Sequence, residues 1–395
     1  MKPQLVLLAH VVNRAVTEGF IPAAKRLGYN ICLVTDHGLA YQQAFVDSDD
    51  IPDSLVVTDV FNPLAVIDSL QNHGITADVV FSNSDHLQTS TALVAQFYGC
   101  ASKDWRVCYQ AKNKAAMRQR LNALALPTVW STRWQLGTPL PEDIPFPVVA
   151  KPREGVASMD VCLCEDAHAL QSYGAQYARL DNQVLLEAYL EGPLFTLETL
   201  GDGKQLMAIG GFDVSLSPLP HFIETKACWN GPIARDYQQQ ALAQVMAFGV
   251  QLGVCHSEFV LTDKGPVLIE INYRSIGDGR EFLLDELFAF SWFETILSLH
   301  AGADLPTLDI HSPSAAICYF PATKSGTIST SPANFAIDEG NFHARYLGLK
   351  PTGDTITLSH SNKDYLGVLT LWGDADKLDA ELSDLSSRLK WEITA

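Results

Sequence analysis

The sequence has few charged residues, and the positive ones are outnumbered by the negative ones. Asp, Glu, Lys and Arg make up 18% of the 395 residues, and 27 Lys and Arg stand against 45 Asp and Glu, giving a net charge of −18. Nucleic acids and anionic membranes bind proteins through clustered positive charge, so neither is expected as the main partner. A small anionic molecule stays compatible, because a few placed cations can bind a phosphate within an acidic protein.

The sequence also lacks an apolar run of membrane-spanning length, which is roughly 18 residues or more. The apolar N-terminal run ends near His10, and no small-residue cleavage site of an export signal follows it. We therefore predict a cytoplasmic protein whose eight cysteines are reduced thiols. The oligomeric state stays open, with a homodimer as one option.

A third feature that is missing is the glycine motif of nicotinamide-binding domains. Strand candidates at Leu5–Ala9, Asn30–Thr35 and Asp78–Ser82 alternate with helix-like stretches such as Thr17–Leu27. That alternation is typical of a doubly wound parallel sheet. A nicotinamide site would need G-x-G-x-x-G after the first strand, where this chain reads AHVVNRAVTEG. The pattern predicts a doubly wound domain and argues against a dehydrogenase.

The pattern changes near residue 110, and the chain is long enough for two or three domains. Asn113 is a candidate N-cap for a helix through Leu124, and residues 236–252 read as a helix ended by Gly253. A single helix is expected over roughly 280–299. From about 313 the sequence predicts short strands and one final helix near residues 374–389, as in a small α/β appendage.

The strongest chemical signal is the segment 256–274, HSEFVLTDKGPVLIEINYR. Two apolar runs flank Asp-Lys-Gly, which predicts a hairpin with a three-residue loop. In that register Glu258 faces Glu270, and Asn272 follows on the same face. The opposite face, which points into the core, carries Phe259, Leu261, Ile269 and Ile271.

Facing carboxylates repel each other, and a hard cation removes that penalty. Mg²⁺ binds carboxylate oxygens and fills its other positions with phosphate oxygens and water. The hairpin therefore predicts a Mg²⁺ site, with Mn²⁺ as an alternative ion, at Glu258, Glu270 and Asn272. The competing interpretation is a solvent-facing sheet surface with incidental acids. His256, one repeat before Glu258, either orients that carboxylate or simply packs, whereas His10 is expected to be structural.

Candidate phosphate-binding cations lie upstream of this hairpin. Lys151 ends the apolar strand PVVAK, and Lys114 lies in the first turn of the helix after Asn113. Either lysine alone is more typical of a solvated surface charge. The following loop, Arg153–Met159, contains small residues that let backbone N–H groups approach phosphate oxygens, namely Gly155, Ala157 and Ser158.

Taken in order, these motifs resemble the ATP-grasp superfamily. The order is a lysine in a helix, a lysine at a strand end, a small-residue loop, E-x-Y-L-x-G and then E…E-x-N-x-R. The resemblance covers about 110–300 and is closest to ADP-forming carboxylate–amine ligases that join amino acids or dipeptides. It implies an α/β protein of ATP-grasp fold, with α+β grasp domains. The division implied is a doubly wound, Rossmann-like domain (1–110), an ATP-grasp domain (111–312) and a small C-terminal α/β cap (313–395).

The resemblance also implies a role for each matched residue. The ATP site it implies, with phosphate-binding, loop and adenine-hinge positions, comprises Lys114, Lys151, Gly155, Ser158, Glu187, Ala188, Tyr189 and Leu190. Arg274 corresponds to the arginine that contacts the reacting carboxylate or acyl phosphate, and Glu224 to an acid near the amine. Leu194 stands where the family often has a ribose-binding acid, for which Glu191 is the candidate substitute. Met159 stands where the loop usually has glycine.

The activity implied is an ATP-dependent ligation of a small-molecule carboxylate to a small-molecule amine. The amide or peptide bond would form through an acyl phosphate, with siderophore or peptide natural-product assembly as a setting. One alternative is an ATP-grasp carboxylase that activates bicarbonate. Another is a non-catalytic nucleotide-binding protein on the same fold, against which the intact metal-ligand set and Arg274 argue.

Overall fold

The N-terminal part of the chain folds as a parallel sheet with helices on both faces. The computed structural model describes residues 2–155, 157–177, 183–309 and 314–394. The first elements are β1 (Gln4–Ala9), α1 (Ile21–Arg26), β2 (Asn30–Thr35), α2 (Gly38–Ala44), β3 (Ser54–Val57), α3 (Pro63–Asn72), β4 (Val79–Phe81) and α4 (Gln88–Phe97). The strands pair in the order β3-β2-β1-β4, all in parallel. The predicted doubly wound arrangement is confirmed.

Alternation along β1 places apolar side chains on both faces of this sheet. Val6 and Leu8 pack in the cluster that holds α3 and α4, while Leu5 and Leu7 pack against the other face with Phe20. Because both faces are covered, the strand reads as a continuous apolar run. Between β1 and α1 the chain forms a π-helical segment, Ala15–Phe20, and the helix ends before Gly28, whose φ is +81°.

A small antiparallel sheet follows, entered through two consecutive helices. Its elements are α5 (Trp105–Lys112), α6 (Lys114–Ala123), β5 (Ser131–Gln135), β6 (Val148–Pro152), β7 (Cys162–Cys164), α7 (Ala167–Tyr177) and β8 (Gln183–Ala188), and the strands pair in the order β5-β8-β6-β7. Asn113 caps α6 as predicted, its side chain accepting a hydrogen bond from the backbone N–H of Ala116. The cap separates α6 from α5 and makes Lys114 the first helical residue.

The central part of the chain contributes most of a large, mainly antiparallel sheet. Its elements are β9 (Leu194–Asp202), β10 (Leu206–Gly210), β11 (Phe212–Leu216), β12 (Glu224–Trp229), α8 (Pro232–Phe248), β13 (Leu252–Thr262), β14 (Gly265–Asn272), α9 (Arg280–Leu287) and α10 (Trp292–His300). The strand order is β14-β13-β9-β11-β12, with β10 paired to β9 on a branch. Helix α8 packs on β9, β10 and β14, which holds the β13–β14 hairpin in place.

Two predicted helix boundaries in this region are wrong. Helix α8 ends at Gly249, whose φ of +108° terminates it, and Gly253 instead lies inside β13. The helix expected over roughly 280–299 is two helices. Ser291 starts the second one by accepting a hydrogen bond from the backbone N–H of Glu294, and Asp285 accepts one from the N–H of Trp292.

The last part of the chain extends the same large sheet. Its elements are β15 (Ala315–Pro321), β16 (Gly326–Thr330), β17 (Phe335–Glu339), β18 (Phe342–Gly348), β19 (Thr355–Ile356), β20 (Tyr365–Gly373), α11 (Ala375–Arg388) and β21 (Glu392–Thr394). β15 pairs with β12, and the order continues β15-β20-β18-β17, while β19-β16-β21 form a separate small sheet. The three-part domain division stays a prediction, and its 312–313 boundary lies outside the described residues. No helix in the described part of the chain is long and apolar enough to span a membrane.

Candidate active site

The β13–β14 hairpin has the predicted register at its chemical end and a different one at its turn. Glu258 pairs with Glu270, and His256 pairs with Asn272. At the turn Thr262 pairs with Gly265, so the loop has two residues rather than the predicted three.

A β-bulge absorbs the one-residue difference between the two ends of this hairpin. The bulge lies opposite Glu258 and Phe259, and it moves Ile269 to the cavity side while Leu268 is fully buried on the core side. The predicted core position of Ile269 is therefore wrong, whereas the facing carboxylates are where the sequence placed them.

A cavity of about 300 Å³ opens over this hairpin, between it and the small antiparallel sheet. It gathers most of the predicted site residues: Lys114, Lys151, Gly155, Ser158, Glu187, Ala188, Tyr189, Leu190, Glu224, Glu258, Glu270, Asn272 and Arg274. Leu194 and Met159 line it too. The predicted ribose substitute, Glu191, is exposed and is not among the residues that line the cavity.

A buried triad of charges, formed by Arg118, Glu187 and Lys151, adjoins the cavity, which Glu187 and Lys151 line. Glu187 receives hydrogen bonds from Arg118, at 2.6 Å from Nε and 3.1 Å from Nη2, and Lys151 Nζ lies 2.6 Å from its Oε2. All three side chains are at most 6% exposed. Burial opposes ionisation of Glu187, but the two cations outweigh it and lower its pKa to about 2. The pKa of Lys151 is also lowered, because burial and the nearby Arg118 and Lys114 outweigh its single carboxylate partner.

Arg118, which holds the cavity residue Glu187, was missed by sequence reasoning. Besides Glu187 it donates to the backbone carbonyls of Leu268 and Ile269, so it ties α6 to both the small sheet and the hairpin. The signal was present in the sequence: Arg118 lies one helical turn after Lys114, on the face that also buries Met117. A charged residue at a buried helical position usually has a specific partner.

Lys114 connects the helix, the loop and the hairpin. Its Nζ lies 2.7 Å from Glu270 Oε1 and 3.3 Å from the carbonyl oxygen of Gly155. Burial disfavours the charged form, yet the Glu270 carboxylate more than compensates, and the pKa of Lys114 is raised. The ammonium group therefore stays charged beside the hairpin carboxylates.

His256 orients the other hairpin carboxylate instead of merely packing. Its Nδ1 lies 2.7 Å from Glu198 Oε1 and its Nε2 lies 3.3 Å from Glu258 Oε1. Burial disfavours the imidazolium, but Glu198 and Glu258 together raise the pKa of His256 to about 9. Asn272 donates to the same Glu258 oxygen at 3.3 Å. Glu198, on β9, was not predicted, because its contact with the hairpin needs the β9–β13 register.

Glu224 is paired with an arginine that the sequence did not single out. Arg280 donates to Glu224 Oε2, and both residues are buried. Arg280 also packs against the rings of Phe212 and Tyr319, at 5.5 and 5.7 Å from their centroids. Arg280 is buried and lines the cavity, yet its Nε and Nη1 have no hydrogen-bond partner among the described residues.

Arg274, two residues after the end of β14, is held by two local contacts. Its Nη1 donates to the carbonyl oxygen of Ser275 at 2.8 Å, and its Nη2 lies 3.4 Å from Asn272 Oδ1. The guanidinium is thus adjacent to the candidate metal ligand Asn272. His10, expected to be structural, lies outside this cavity with its Nδ1 2.9 Å from Asp36.

The donor set of the hairpin fits a hard cation. Glu258, Glu270 and Asn272 each present oxygen atoms on one face of the sheet, and oxygen is the ligand that Mg²⁺ prefers. Positive charge already compensates the two carboxylates in this structure, through Lys114 on Glu270 and His256 on Glu258. Each of the two carboxylates therefore attracts a positively charged group in this structure.

The chain is similar in sequence to known proteins over part of its length. No family model matches the chain. It is 26% identical over 296 residues to the uncharacterized protein y4rH of Sinorhizobium fredii, covering 70% of this chain and 59% of that protein. It is 30% identical over 152 residues to carnosine synthase 1 of Homo sapiens, covering 34% of this chain and 18% of that protein. The chain thus spans less than two thirds of the length of either relative.

The L-amino acid ligase of Bacillus licheniformis is similar in structure over the whole chain. The two share a TM-score of 0.81 at 18% identity, covering 100% of this chain and 99% of the other. Such a likeness establishes the fold, an α/β architecture of the ATP-grasp type, as the motifs predicted.

Proposed function

We propose that the protein is an ATP-dependent, ADP-forming carboxylate–amine ligase that makes an amide or peptide bond through an acyl phosphate. The observation that carries the proposal is the shared cavity. Two buried lysines, two facing carboxylates and Arg274 all line it. That combination suits the transfer of a phosphoryl group to a carboxylate, since each developing negative charge has a cation nearby.

The loop between β6 and β7 supports a role in nucleotide binding. Ala157, Ser158 and Asp160 all have positive φ, between +54° and +58°. Such conformations are costly for residues with a side chain, and they concentrate at functional sites. Met159 does not have positive φ, so the glycine expected at that position is not required here. Val156, in the same loop, lies outside the described residues.

The residues that line the cavity would have distinct roles in the proposed reaction. ATP and its Mg²⁺, held by Lys114, Lys151 and the hairpin oxygens, would supply the γ-phosphoryl group and neutralise charge on it. Arg274 would hold the substrate carboxylate beside the hairpin, with its planar guanidinium in bidentate contact. The loop over the cavity would keep out water, the competing nucleophile.

Amino acids are the substrate class that the comparisons favour. The similar proteins include an L-amino acid ligase and, by its name, a synthase of carnosine. We propose that both the carboxylate and the amine come from small molecules of this kind, in peptide natural-product or siderophore assembly. The homodimer and the cytoplasmic location stay predictions.

A phosphate-release panel tests the proposal. The purified protein is incubated with MgATP and pairs of proteinogenic L-amino acids, and in parallel with citrate plus each amino acid and with bicarbonate alone. We expect ADP and phosphate to form only with particular carboxylate–amine pairs, and mass spectrometry to find the matching amide. Turnover with bicarbonate alone would favour the carboxylase, and absence of turnover or ATP binding in every arm would contradict the proposal.

A further inference from the structure

A second cavity, of about 320 Å³, adjoins the first one near Arg274. The two cavities share Arg274, Gly277 and Asp278 in their walls, so the segment between β14 and α9 separates them. The remaining wall of the second cavity comes from distant parts of the chain, including Asn13 and Asn83, which follow β1 and β4. A molecule bound there would approach the first cavity from the side of Arg274.

Helix α9 presents one charged residue to each of the two cavities. After Gly279, whose φ is +87°, Arg280 lines the first cavity and Glu281 lines the second. Glu281 is only 6% exposed, and its Oε2 has no hydrogen-bond partner in the described part of the chain. A buried carboxylate oxygen without a hydrogen-bond partner costs stability, and a bound ligand or ion is one explanation for such a group.

The charged groups near Glu281 act on its carboxylate with opposite signs. The negative charge of Asp278 raises the pKa of Glu281, whereas the positive charges of Arg274 and Arg14 lower it. Arg14 is otherwise engaged, because it pairs with Glu18 and stacks over the ring of Phe282. Burial, reinforced by Asp278, raises the pKa of Glu281 to about 7. At neutral pH and above, the carboxylate can therefore both attract an ammonium group and accept its proton.

Apart from these charged groups and the polar side chains of Asn13, Asn83 and Ser275, much of the wall of the second cavity is apolar. The side chains that form this part of the wall are Ala15, Phe282, Leu347, Leu349, Tyr365 and Val368. Ala15 begins the π-helical segment, and such segments are frequent at functional sites. A cavity that combines a buried carboxylate with an apolar surface suits a cation that carries an apolar group.

We propose that the second cavity binds the amine substrate, a primary amine with an apolar side group, and that Glu281 holds its ammonium and accepts its proton. The inference rests on the function proposed above. The ammonium gives one proton to the Glu281 carboxylate, and the freed lone pair attacks the acyl carbon of the acyl phosphate. The new C–N bond forms as the bond between the acyl carbon and the phosphate oxygen breaks. The second proton of the amine leaves with the phosphate. Water or the leaving phosphate would otherwise have to deprotonate the amine.

Hydroxylamine separates this claim from the proposed function. It is small and largely unprotonated at neutral pH, so it can trap an acyl phosphate without a site or a base of its own. The wild type is given MgATP and the proteinogenic L-amino acids, with and without hydroxylamine, and both hydroxamates and peptides are quantified. The same assay is run on Glu281→Gln and on Glu286→Gln, which changes an exposed carboxylate on the same helix.

We expect Glu281→Gln to keep wild-type hydroxamate formation and to lose peptide formation by about 10²-fold or more. Glu286→Gln should resemble the wild type in both. Equal loss of both products in Glu281→Gln, or normal peptide formation, would overturn the role of Glu281. Should the wild type form neither product although it binds ATP, the proposed function fails and this inference with it. Retained hydroxamate formation also shows that the variant is folded.

Discussion

The buried triad of Arg118, Glu187 and Lys151 allows one prediction to be worked out in detail. The change is Glu187→Gln, which keeps the shape of the side chain but removes its charge. Two cations that are at most 6% exposed then lose their common carboxylate. Removal of one partner from a buried ion pair typically costs about 3–5 kcal/mol, because the remaining charge stays buried without compensation.

The pKa of Glu187 gives a second measure of the same energy. It lies at about 2 against an ordinary value of 4.5, and that difference corresponds to roughly 3 kcal/mol in favour of the charged form. Since the folded-state pKa is depressed, this stabilisation is complete above pH 4.5 and is lost as the pH falls towards 2. The full cost of the substitution is therefore expected at neutral pH and little of it near pH 2.

Hydrogen exchange of peptides from β8 and α6 measures this cost locally. A loss of about 3 kcal/mol corresponds to roughly hundredfold faster exchange through local opening. The matched control is Glu165→Gln, an exposed carboxylate beside β7 in the same small sheet, and its exchange should be unchanged. Exchange within a few-fold of the wild type in Glu187→Gln would refute the reasoning, because it would mean that the triad contributes little to stability.

Three further predictions concern the proposed reaction. Glu270→Gln should abolish turnover while near-UV circular dichroism stays that of the wild type; near-normal turnover at limiting Mg²⁺ would make the metal assignment wrong. Lys151→Ala should raise the apparent KM for ATP and lower kcat in steady-state assays, and unchanged ATP kinetics would make Lys151 a purely structural residue. Acyl phosphate should form before the amine arrives, so ATP labelled at the β–γ bridge should scramble with the carboxylate alone; efficient ligation without scrambling would mean an amine-gated mechanism.

Local sequence signals predicted the elements that depend on short-range chemistry. The strand at Asn30–Thr35 has the predicted bounds, and the Asn113 cap forms because its side chain reaches the N–H three residues on. The facing pair Glu258 and Glu270 followed from alternation along two strands, which sets the face of each side chain.

Features that depend on packing between distant segments were not predictable in the same way. The two-residue turn and the bulge shift the strand register in opposite senses, so Glu258 still faces Glu270 as a three-residue turn would predict. Alternation of side chains alone therefore could not reveal either feature. The triad partner Arg118 and the His256 partner Glu198 lie more than fifty positions from the residues that they contact. Arg280 and Glu281 serve different cavities although they are consecutive, and only the tertiary arrangement of α9 shows it.

Transfer of a heavy-oxygen label from carboxylate to phosphate tests the central claim most directly. The carboxylate identified by the phosphate-release panel is labelled on both oxygens and ligated to its amine with unlabelled MgATP. An acyl-phosphate mechanism predicts one labelled oxygen in each molecule of released phosphate and one in the amide. Label in AMP, or phosphate released without label while the amide forms, would contradict the account of this protein as an ADP-forming carboxylate–amine ligase.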